Sequence, residues 1–225
     1  MTRSRSKLLR LVPTTRASEW KRSALLALVW LIGPVSLASL FAFKVAQTRA
    51  VLALPELGAI PSFTMRDQAA AIVTDRDFRG RVSIVDFFFT SCPVMCPRLA
   101  ARMAELRDRL VAQQRSSDRH IQLVSISVDP ETDTPERLRE YAGRFKAERS
   151  SWSFLTGAAD DLPRIVVEGF KTQYEKPNST LGIVEIMHGN WFILVDGSGK
   201  IRGYYLADLP ADIERLLLDA RTLAN

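Results

Sequence analysis

The sequence predicts an α/β protein in which helices cover a partly parallel sheet. Residues 82–89 and 121–128 are runs of apolar, β-branched and aromatic residues, typical of strands that are buried on both faces. A helical pattern follows each run, and a hairpin pattern around a glycine-containing turn precedes the last helix. This order of elements is that of an α/β layer fold with a mixed sheet.

The helices follow from spacing and end signals. The helix after the first long strand has one apolar stripe, made of Leu99, Met103, Leu106 and Leu110. The next helix is predicted to begin after Thr134, which can cap it, with Pro135 in the first helical position. The other predicted elements are a strand at 72–73, a turn at 77–80, a helix at 160–170, hairpin strands at 191–195 and 201–205, and a helix at 210–223.

The net charge of +6 belongs to the N-terminal tail. Seven of the 31 Lys and Arg residues, but only one of the 25 Asp and Glu residues, lie in residues 1–22, so the rest of the chain has 24 of each. A neutral domain has no positive field that would collect phosphates. We therefore expect no nucleic-acid partner.

An uncharged apolar segment follows the basic tail. As a helix, residues 23–43 are long enough to cross the ~30 Å hydrocarbon core of a bilayer. Because the basic residues precede this segment, the N-terminus is predicted to be cytoplasmic and the C-terminal domain to lie across the membrane. A cleaved signal peptide, a mitochondrial transit peptide and a buried core helix are the alternatives.

These patterns predict four parts of the chain. They are a basic cytoplasmic tail at 1–22, a transmembrane anchor at 23–43, a linker at 44–61 and a folded domain at 62–225. The folded domain would be periplasmic in a single-pass inner-membrane protein, or in the intermembrane space if the protein is mitochondrial.

The only two cysteines lie between the first long strand and its helix. This is where open α/β sheets place ligands, at the carboxyl ends of strands. Cys92 and Cys96 both precede a proline, which disfavours helical geometry, so Cys96 is expected to cap the helix and Pro97 to begin it. The positive end of the helix dipole would favour the thiolate form.

Three residues separate the cysteines, whereas dithiol redox enzymes usually have two. The wider loop can close a disulfide, and it can also present two sulfurs to one ion. Thiolates suit Cu(I), with zinc as an alternative. A structural disulfide is a further alternative, although a bridge across so short a loop would constrain little of the unfolded chain.

The element order after the cysteines indicates a third ligand. A parallel βαβ unit followed by an antiparallel hairpin and a helix is the thioredoxin-like arrangement, in which the loop entering the hairpin faces the cysteine turn. His188 lies in that loop and is the candidate imidazole ligand. His120, at the start of the second long strand, is predicted to be a surface residue.

Three further side chains could contribute to the site. Met95 and Met187 have soft sulfurs, but methionine more often fills gaps in a core. Asp129 ends the second long strand and could orient a ligand from outside the first coordination shell. The alternative is that Asp129, Asp133 and Thr134 shape the turn before the next helix.

Taken together, these motifs resemble the Sco/SenC family of membrane-anchored copper proteins. The resemblance covers residues 62–225 and the N-terminal anchor. The matching segments are DFRG at 77–80, FTSCPVMCP at 89–97, SVDPETDTP at 127–135, and His188 before a strand that ends in DGSGK at 196–200. The sequence departs from the family at Val94 and Met95, where an acidic residue is frequent, and at Ser91, where histidine is frequent.

The resemblance implies a copper metallochaperone. Cys92, Cys96 and His188 would bind copper, as Cu(I) or Cu(II), and the protein would deliver it to the copper centre of cytochrome c oxidase or reduce the cysteines of that centre. Expected partners are the copper-bearing oxidase subunit, other copper chaperones or thiol–disulfide proteins, and the membrane. On this interpretation the protein is not an enzyme.

Two other functions stay open. The first is a membrane-anchored thiol–disulfide reductase that acts on the oxidase copper-site cysteines or on other extracytoplasmic thiols. In that reaction Cys92 would attack and Cys96 would resolve the mixed disulfide. The second is a peroxide-reducing or redox-sensing protein.

Overall fold

An eight-stranded mixed sheet forms the centre of the domain. The computed structural model describes residues 54–113, 118, 120–147, 151–172 and 190–224. The strands are β1 (Gly58–Ala59), β2 (Thr64–Asp67), β3 (Ile72–Thr74), β4 (Val82–Phe88), β5 (Ile121–Ser127), β6 (Trp152–Thr156), β7 (Trp191–Val195) and β8 (Lys200–Leu206). Their order across the sheet is β1-β8-β7-β4-β5-β6-β2-β3.

The three central strands β4, β5 and β6 are parallel. The pairs β4–β7, β7–β8, β1–β8, β2–β6 and β2–β3 are antiparallel. β4 and β5 stay in register to their carboxyl ends, where Phe88 lies opposite Ser127. The loops that leave these two strands therefore start side by side. The predicted α/β class with a mixed sheet is confirmed.

Among the described residues, three α-helices accompany the sheet: α1 (Met95–Gln113), α2 (Pro135–Arg144) and α3 (Pro210–Ala224). The predicted apolar stripe of α1 is buried at all four positions. The predicted start of α2 is also confirmed, since Pro135 is its first residue and the Thr134 side chain accepts a hydrogen bond from the Arg137 N–H. Leu138 and Tyr141 of α2, three positions apart on one helix face, are both buried in the core.

The predicted helix at 160–170 is irregular. It consists of a 3₁₀ turn at Ala159–Asp161 and a π-helical segment at Arg164–Gly169. Phe170, at its end, packs edge-on against Phe87 of β4, with 5.2 Å between the ring centroids. Phe88 instead stacks on Tyr141 of α2. Because successive strand residues point to opposite faces, α2 and the irregular segment cover opposite faces of β4.

Strands β1, β2 and β6 were not predicted from the sequence. These strands have two to five residues, which is too short for the alternation of burial to distinguish them from loops. β1, at residues 58–59, pairs with β8, and the following Ile60 is buried in the core.

The predicted tail at 1–22 and the predicted membrane segment at 23–43 lie outside the described residues. Within the part of the chain that is described, no helix combines the length and the apolar character needed to span a bilayer.

Candidate metal centre

Both cysteines lie in the turn between β4 and α1. The Cys92 N–H donates a hydrogen bond to the Phe89 carbonyl, at 3.3 Å, and this bond closes the turn. The Cys96 N–H donates to the Cys92 Sγ, also at 3.3 Å. Both residues are free thiols and are only 6% and 3% exposed. The structure therefore brings the two predicted sulfur ligands together at the N-terminus of a helix.

The predicted helix start was wrong by two residues. α1 begins at Met95, so Cys96 is helical and does not cap the helix. Pro97 fits within the first turn because the first four N–H groups of a helix have no partner inside the helix. The sulfur of Cys92 accepts from one of these N–H groups, that of Cys96, and so replaces a conventional cap.

Burial dominates the electrostatics of Cys96. It raises the pKa of this thiol well above the ordinary range, and a backbone hydrogen bond from Phe89 only partly opposes the effect. Negative charge on Cys92 and on the buried Asp86 raises the pKa of Cys96 further. The thiolate stabilisation expected from the helix dipole is therefore outweighed at Cys96. A metal ion that binds here must displace the proton of this thiol.

Asp133 fastens the cysteine turn to the neighbouring loop. Its fully buried carboxylate accepts hydrogen bonds from the Thr90 N–H, at 3.1 Å, from the Thr90 hydroxyl, and from the Ser127 hydroxyl, at 2.6 Å. Arg137 of α2 donates to the Thr90 hydroxyl oxygen at 3.1 Å. Asp133 was predicted only as a possible turn residue. Its position between a buried strand and a helix cap was the available signal, but no local pattern connects it with Thr90.

The contacts of Asp129 are those of a turn residue. Its carbonyl accepts from the N–H groups of Thr132 and Asp133, at 3.1 and 2.8 Å, and its own N–H donates to the Ser127 hydroxyl. No hydrogen bond joins it to either cysteine among the described residues. These backbone contacts show that Asp129 takes part in the turn before α2.

The structure places some of the other candidate ligands. His120 is exposed, which confirms the prediction of a surface residue. Met95 is the first residue of α1 and is partly buried against the core. His188 and Met187 lie outside the described residues. Within the described ranges, no group of three His, Cys, Asp or Glu side chains is arranged to hold a metal ion.

The chain that enters β7 is attached to the first turns of α1. The Asn190 side-chain amide donates to the Asp208 carboxylate, and the Arg98 guanidinium contacts the same carboxylate at 3.5 Å. Arg98 is two residues beyond Cys96 in the sequence. Asp208 therefore connects the segment after His188 with the helix that contains Cys96.

Comparison with known proteins identifies the family. The SCO1/SenC family model matches residues 55–223. A protein of Stutzerimonas stutzeri described as a "Putative copper-binding protein" is 32% identical over 168 residues, which are 74% of this chain and 79% of that protein.

Solved structures agree with this match. A SCO1/SenC family lipoprotein from Bacillus anthracis is 30% identical, with a TM-score of 0.67, over 77% of this chain and 100% of that chain. BsSco is described as a member of the Sco family of cytochrome c oxidase assembly proteins with a disulfide switch. It is 27% identical, with a TM-score of 0.66, over 76% of this chain and 98% of that chain. The chain described here belongs to the SCO1/SenC family.

Proposed function

We propose that this protein is a copper metallochaperone that binds copper through Cys92, Cys96 and His188 and supplies it to the copper centre of cytochrome c oxidase. The observation that carries the proposal is the pair of free, buried thiols in the β4–α1 turn, where the Cys96 N–H contacts the Cys92 Sγ. Two closely placed thiolates in a site with little water are a donor set that suits Cu(I). The copper-binding description of one relative and the oxidase-assembly description of BsSco support the proposal.

The attachment of Asn190 supports His188 as the third ligand. Asn190 contacts Asp208, which also contacts Arg98 near the start of α1. His188 is two residues before Asn190, and two residues of extended chain span at most about 7 Å. The Asn190 contact thus holds the chain two residues after His188 against a side chain that also contacts α1, which supports the choice of His188.

We propose that residues 23–43 anchor a periplasmic domain in the inner membrane, with a cytoplasmic tail at 1–22. The predicted linker at 44–61 is shorter than expected, since its residues 58–60 contain β1 and the buried Ile60 and belong to the folded domain. The apolar segment and its basic flank support this topology. Tethering would raise the effective concentration of the copper site near a membrane-bound acceptor. Copper would pass to the acceptor by exchange of one thiolate ligand at a time.

Thiol–disulfide reduction is the second candidate function, because the two free thiols are neighbours and BsSco is described as having a disulfide switch. The Cys92 thiolate would attack an acceptor disulfide, forming a mixed disulfide and releasing one acceptor thiolate. Cys96 would then attack the Cys92 sulfur, releasing the second acceptor thiolate and leaving a Cys92–Cys96 disulfide. The acceptor gains two electrons and this protein loses two.

A Cu(I) competition titration tests the copper proposal. The reduced full-length protein in detergent is titrated against a Cu(I) chelator, together with Cys92→Ser, Cys96→Ser and His188→Ala. We expect one tightly bound Cu(I) per chain in the parent and weaker binding in all three variants. His120→Ala, which changes the exposed histidine, is the matched control and should bind as the parent does.

Two outcomes separate the candidates. Equal Cu(I) affinity of His188→Ala and the parent would contradict the three-ligand site. If His188→Ala also reduces a model disulfide and supports oxidase assembly as well as the parent does, the reductase function is favoured.

A further inference from the structure

Four exposed apolar side chains lie at the end of the sheet that carries the cysteine turn. They are Val94, Trp191, Leu206 and Leu209, each between 36% and 58% exposed, and together they are named the cysteine-end patch. Single exposed apolar residues are normal on a protein surface, whereas a group of them indicates a surface that another molecule covers. In the described part of the chain, the other exposed large apolar residues lie on five separate segments, at Leu57, Ile72, Val111, Val167 and Leu218.

Three members of the patch lie where β7 begins and β8 ends. Trp191 and Leu206 are opposite each other in the antiparallel pairing of these strands, so their side chains leave the same face of the sheet. The Leu209 N–H donates to the Leu206 carbonyl at 3.2 Å. In the antiparallel pair of β4 and β7, Val85 lies opposite Ile193, so the start of β7 lies towards the carboxyl end of β4. These three side chains are therefore at the same end of the sheet as the cysteine turn.

An ion pair connects these residues with Val94. The Arg98 N–H donates to the Val94 carbonyl at 3.4 Å, and the Arg98 guanidinium contacts the Asp208 carboxylate at 3.5 Å. Asp208 lies between Leu206 and Leu209 in the sequence. The patch thus has apolar side chains on both sides of a polar pair. Tryptophan and arginine are enriched at protein–protein interfaces, and both occur here.

The two sulfurs are shielded at this surface. Cys92 and Cys96 are almost fully buried, whereas Ser91, Pro93 and Val94 beside them are exposed. A molecule that approaches the turn therefore meets the Val94 side chain before it meets either sulfur. Exchange of a thiolate ligand requires the acceptor sulfur to come within bonding distance of the same copper ion. The surface of the acceptor must consequently cover Val94.

We propose that the cysteine-end patch is the surface on which the copper-accepting protein docks, and that this partner has an apolar surface around its own copper-binding thiols. The inference rests on the proposed copper-chaperone function and names the chemistry of its protein contact. A second copy of this chain on the patch would cover the same sulfurs and block transfer, and a bilayer surface supplies no thiol for the exchange. A partner that leaves after transfer needs a small interface, and a patch of four apolar side chains suits a weak, transient complex.

A polar side chain in the patch should slow transfer. Leu206→Thr removes apolar surface, suits a strand and keeps the backbone N–H that donates to Asp212 at 2.9 Å. Val94→Thr keeps the shape of the side chain and adds a hydroxyl. The matched controls are Ile72→Thr, on the edge strand β3, and Val111→Thr, near the far end of α1, since both positions are more exposed than their counterparts in the patch.

The test is a transfer measurement with the reduced, copper-free soluble domain of the copper-bearing oxidase subunit as the probe. The full-length protein in detergent is loaded with Cu(I) and mixed with this domain, and the copper on the separated acceptor is measured at timed intervals. We expect Leu206→Thr and Val94→Thr each to slow transfer about fivefold to tenfold, as the loss of one central interface side chain does. Both controls should transfer copper at the rate of the parent. Competition titration should give Leu206→Thr the Cu(I) affinity of the parent.

Equal transfer rates of the parent, Leu206→Thr and Val94→Thr would overturn the inference, and so would equal slowing in the two controls. A dimer of the parent in detergent that Leu206→Thr dissociates would assign the patch to a second copy instead. In nanodiscs with brominated lipid, quenching of fluorescence that Trp191→Phe removes would assign the patch to the bilayer. Either result would overturn the proposed docking. Absence of Cu(I) binding in the parent would overturn the copper proposal itself, whereas Cu(I) binding with unchanged transfer in the variants would overturn only the docking surface.

Discussion

The carboxylate of Asp133 accepts hydrogen bonds from both the N–H and the hydroxyl of Thr90, 43 residues earlier in the chain. Thr90 is two residues before Cys92, so this contact fixes the turn that presents the first sulfur. The same carboxylate accepts from the Ser127 hydroxyl at the carboxyl end of β5. One side chain thus joins the carboxyl ends of β4 and β5.

Removing the Asp133 carboxylate should lower the stability of the domain and weaken Cu(I) binding at the cysteine turn. Asp133→Ala leaves the Thr90 N–H and the Ser127 hydroxyl without their buried acceptor. We expect the free energy of unfolding to fall by about 2–4 kcal/mol and Cu(I) affinity to fall with it. Urea unfolding and Cu(I) titration measure the two effects. Asp160→Ala, at an exposed position, is the control and should change neither. If Asp133→Ala is as stable as the parent, the hydrogen bonds of Asp133 do not stabilise the connection between the cysteine turn and β5.

Asp86 should make stability depend on pH. Burial raises its pKa from the ordinary 3.8 to about 7, and the hydrogen bond from Ser125 opposes this only in part. Between these values the folded state keeps a proton that the unfolded state has lost, so stability falls as the pH rises through this window. At about 1.4 kcal/mol per pKa unit, the effect amounts to roughly 4 kcal/mol.

The measurement is urea unfolding of the parent and of Asp86→Asn from about pH 4 to about pH 8. The asparagine cannot ionise, so the stability of the variant relative to the parent should increase across this range and level off above about pH 7. Asp160→Asn, at an exposed position, should show no such trend. A difference between Asp86→Asn and the parent that does not vary with pH would mean that Asp86 does not titrate in this window.

Asp208 should affect the copper site more than stability. Its carboxylate is partly exposed and contacts both Arg98 and Asn190. Exposed ion pairs contribute at most about 1 kcal/mol, so Asp208→Ala should unfold at nearly the urea concentration of the parent. If the Asn190 contact positions His188, the variant should bind Cu(I) more weakly. Asp108→Ala removes another exposed carboxylate, which pairs with Arg107, and should leave the Cu(I) affinity unchanged. If Asp208→Ala and Asp108→Ala bind Cu(I) with equal affinity, the Asn190 contact does not position His188.

Alanine substitution should lower the stability of the protein at Gly169 and raise it at Gly143. A Cβ at Gly169 would lie 2.3 Å from the Pro61 Cδ, a contact that a proline ring cannot avoid by rotating. We expect Gly169→Ala to cost about 1–3 kcal/mol. A Cβ at Gly143, in α2, meets no atom within 4 Å, so Gly143→Ala should add about 0.5–1 kcal/mol through helix propensity. Thermal or urea unfolding of both variants checks the signs, and a stabilising Gly169→Ala would contradict the packing described here.

Local sequence patterns predicted those elements whose structure depends mainly on neighbouring residues. The stripe of α1 and the Thr134 cap of α2 depend on residues a few positions apart, and both occur as predicted. β6 was missed because five residues give too short a pattern, although its Trp152 is fully buried. The position of Asp86 within the apolar run at 82–89 already indicated that its carboxyl group would be buried.

The remaining features of the site depend on contacts distant in sequence. No local pattern could show that the buried Tyr141 hydroxyl would have no hydrogen-bond partner among the described residues. Likewise, no pattern within residues 127–135 could show that Asp133 reaches Thr90. The two cysteines were predictable as a pair because three residues separate them.

Both edges of the sheet end in very short strands. β1 has two residues and β3 has three, and β1 covers part of the seven-residue β8, which would otherwise be the outermost strand on its side. An outer strand offers unpaired N–H and C=O groups to which another polypeptide can add. At the β3 edge, three residues provide few such groups in a row, so this side of the sheet limits intermolecular strand addition and the aggregation that follows from it.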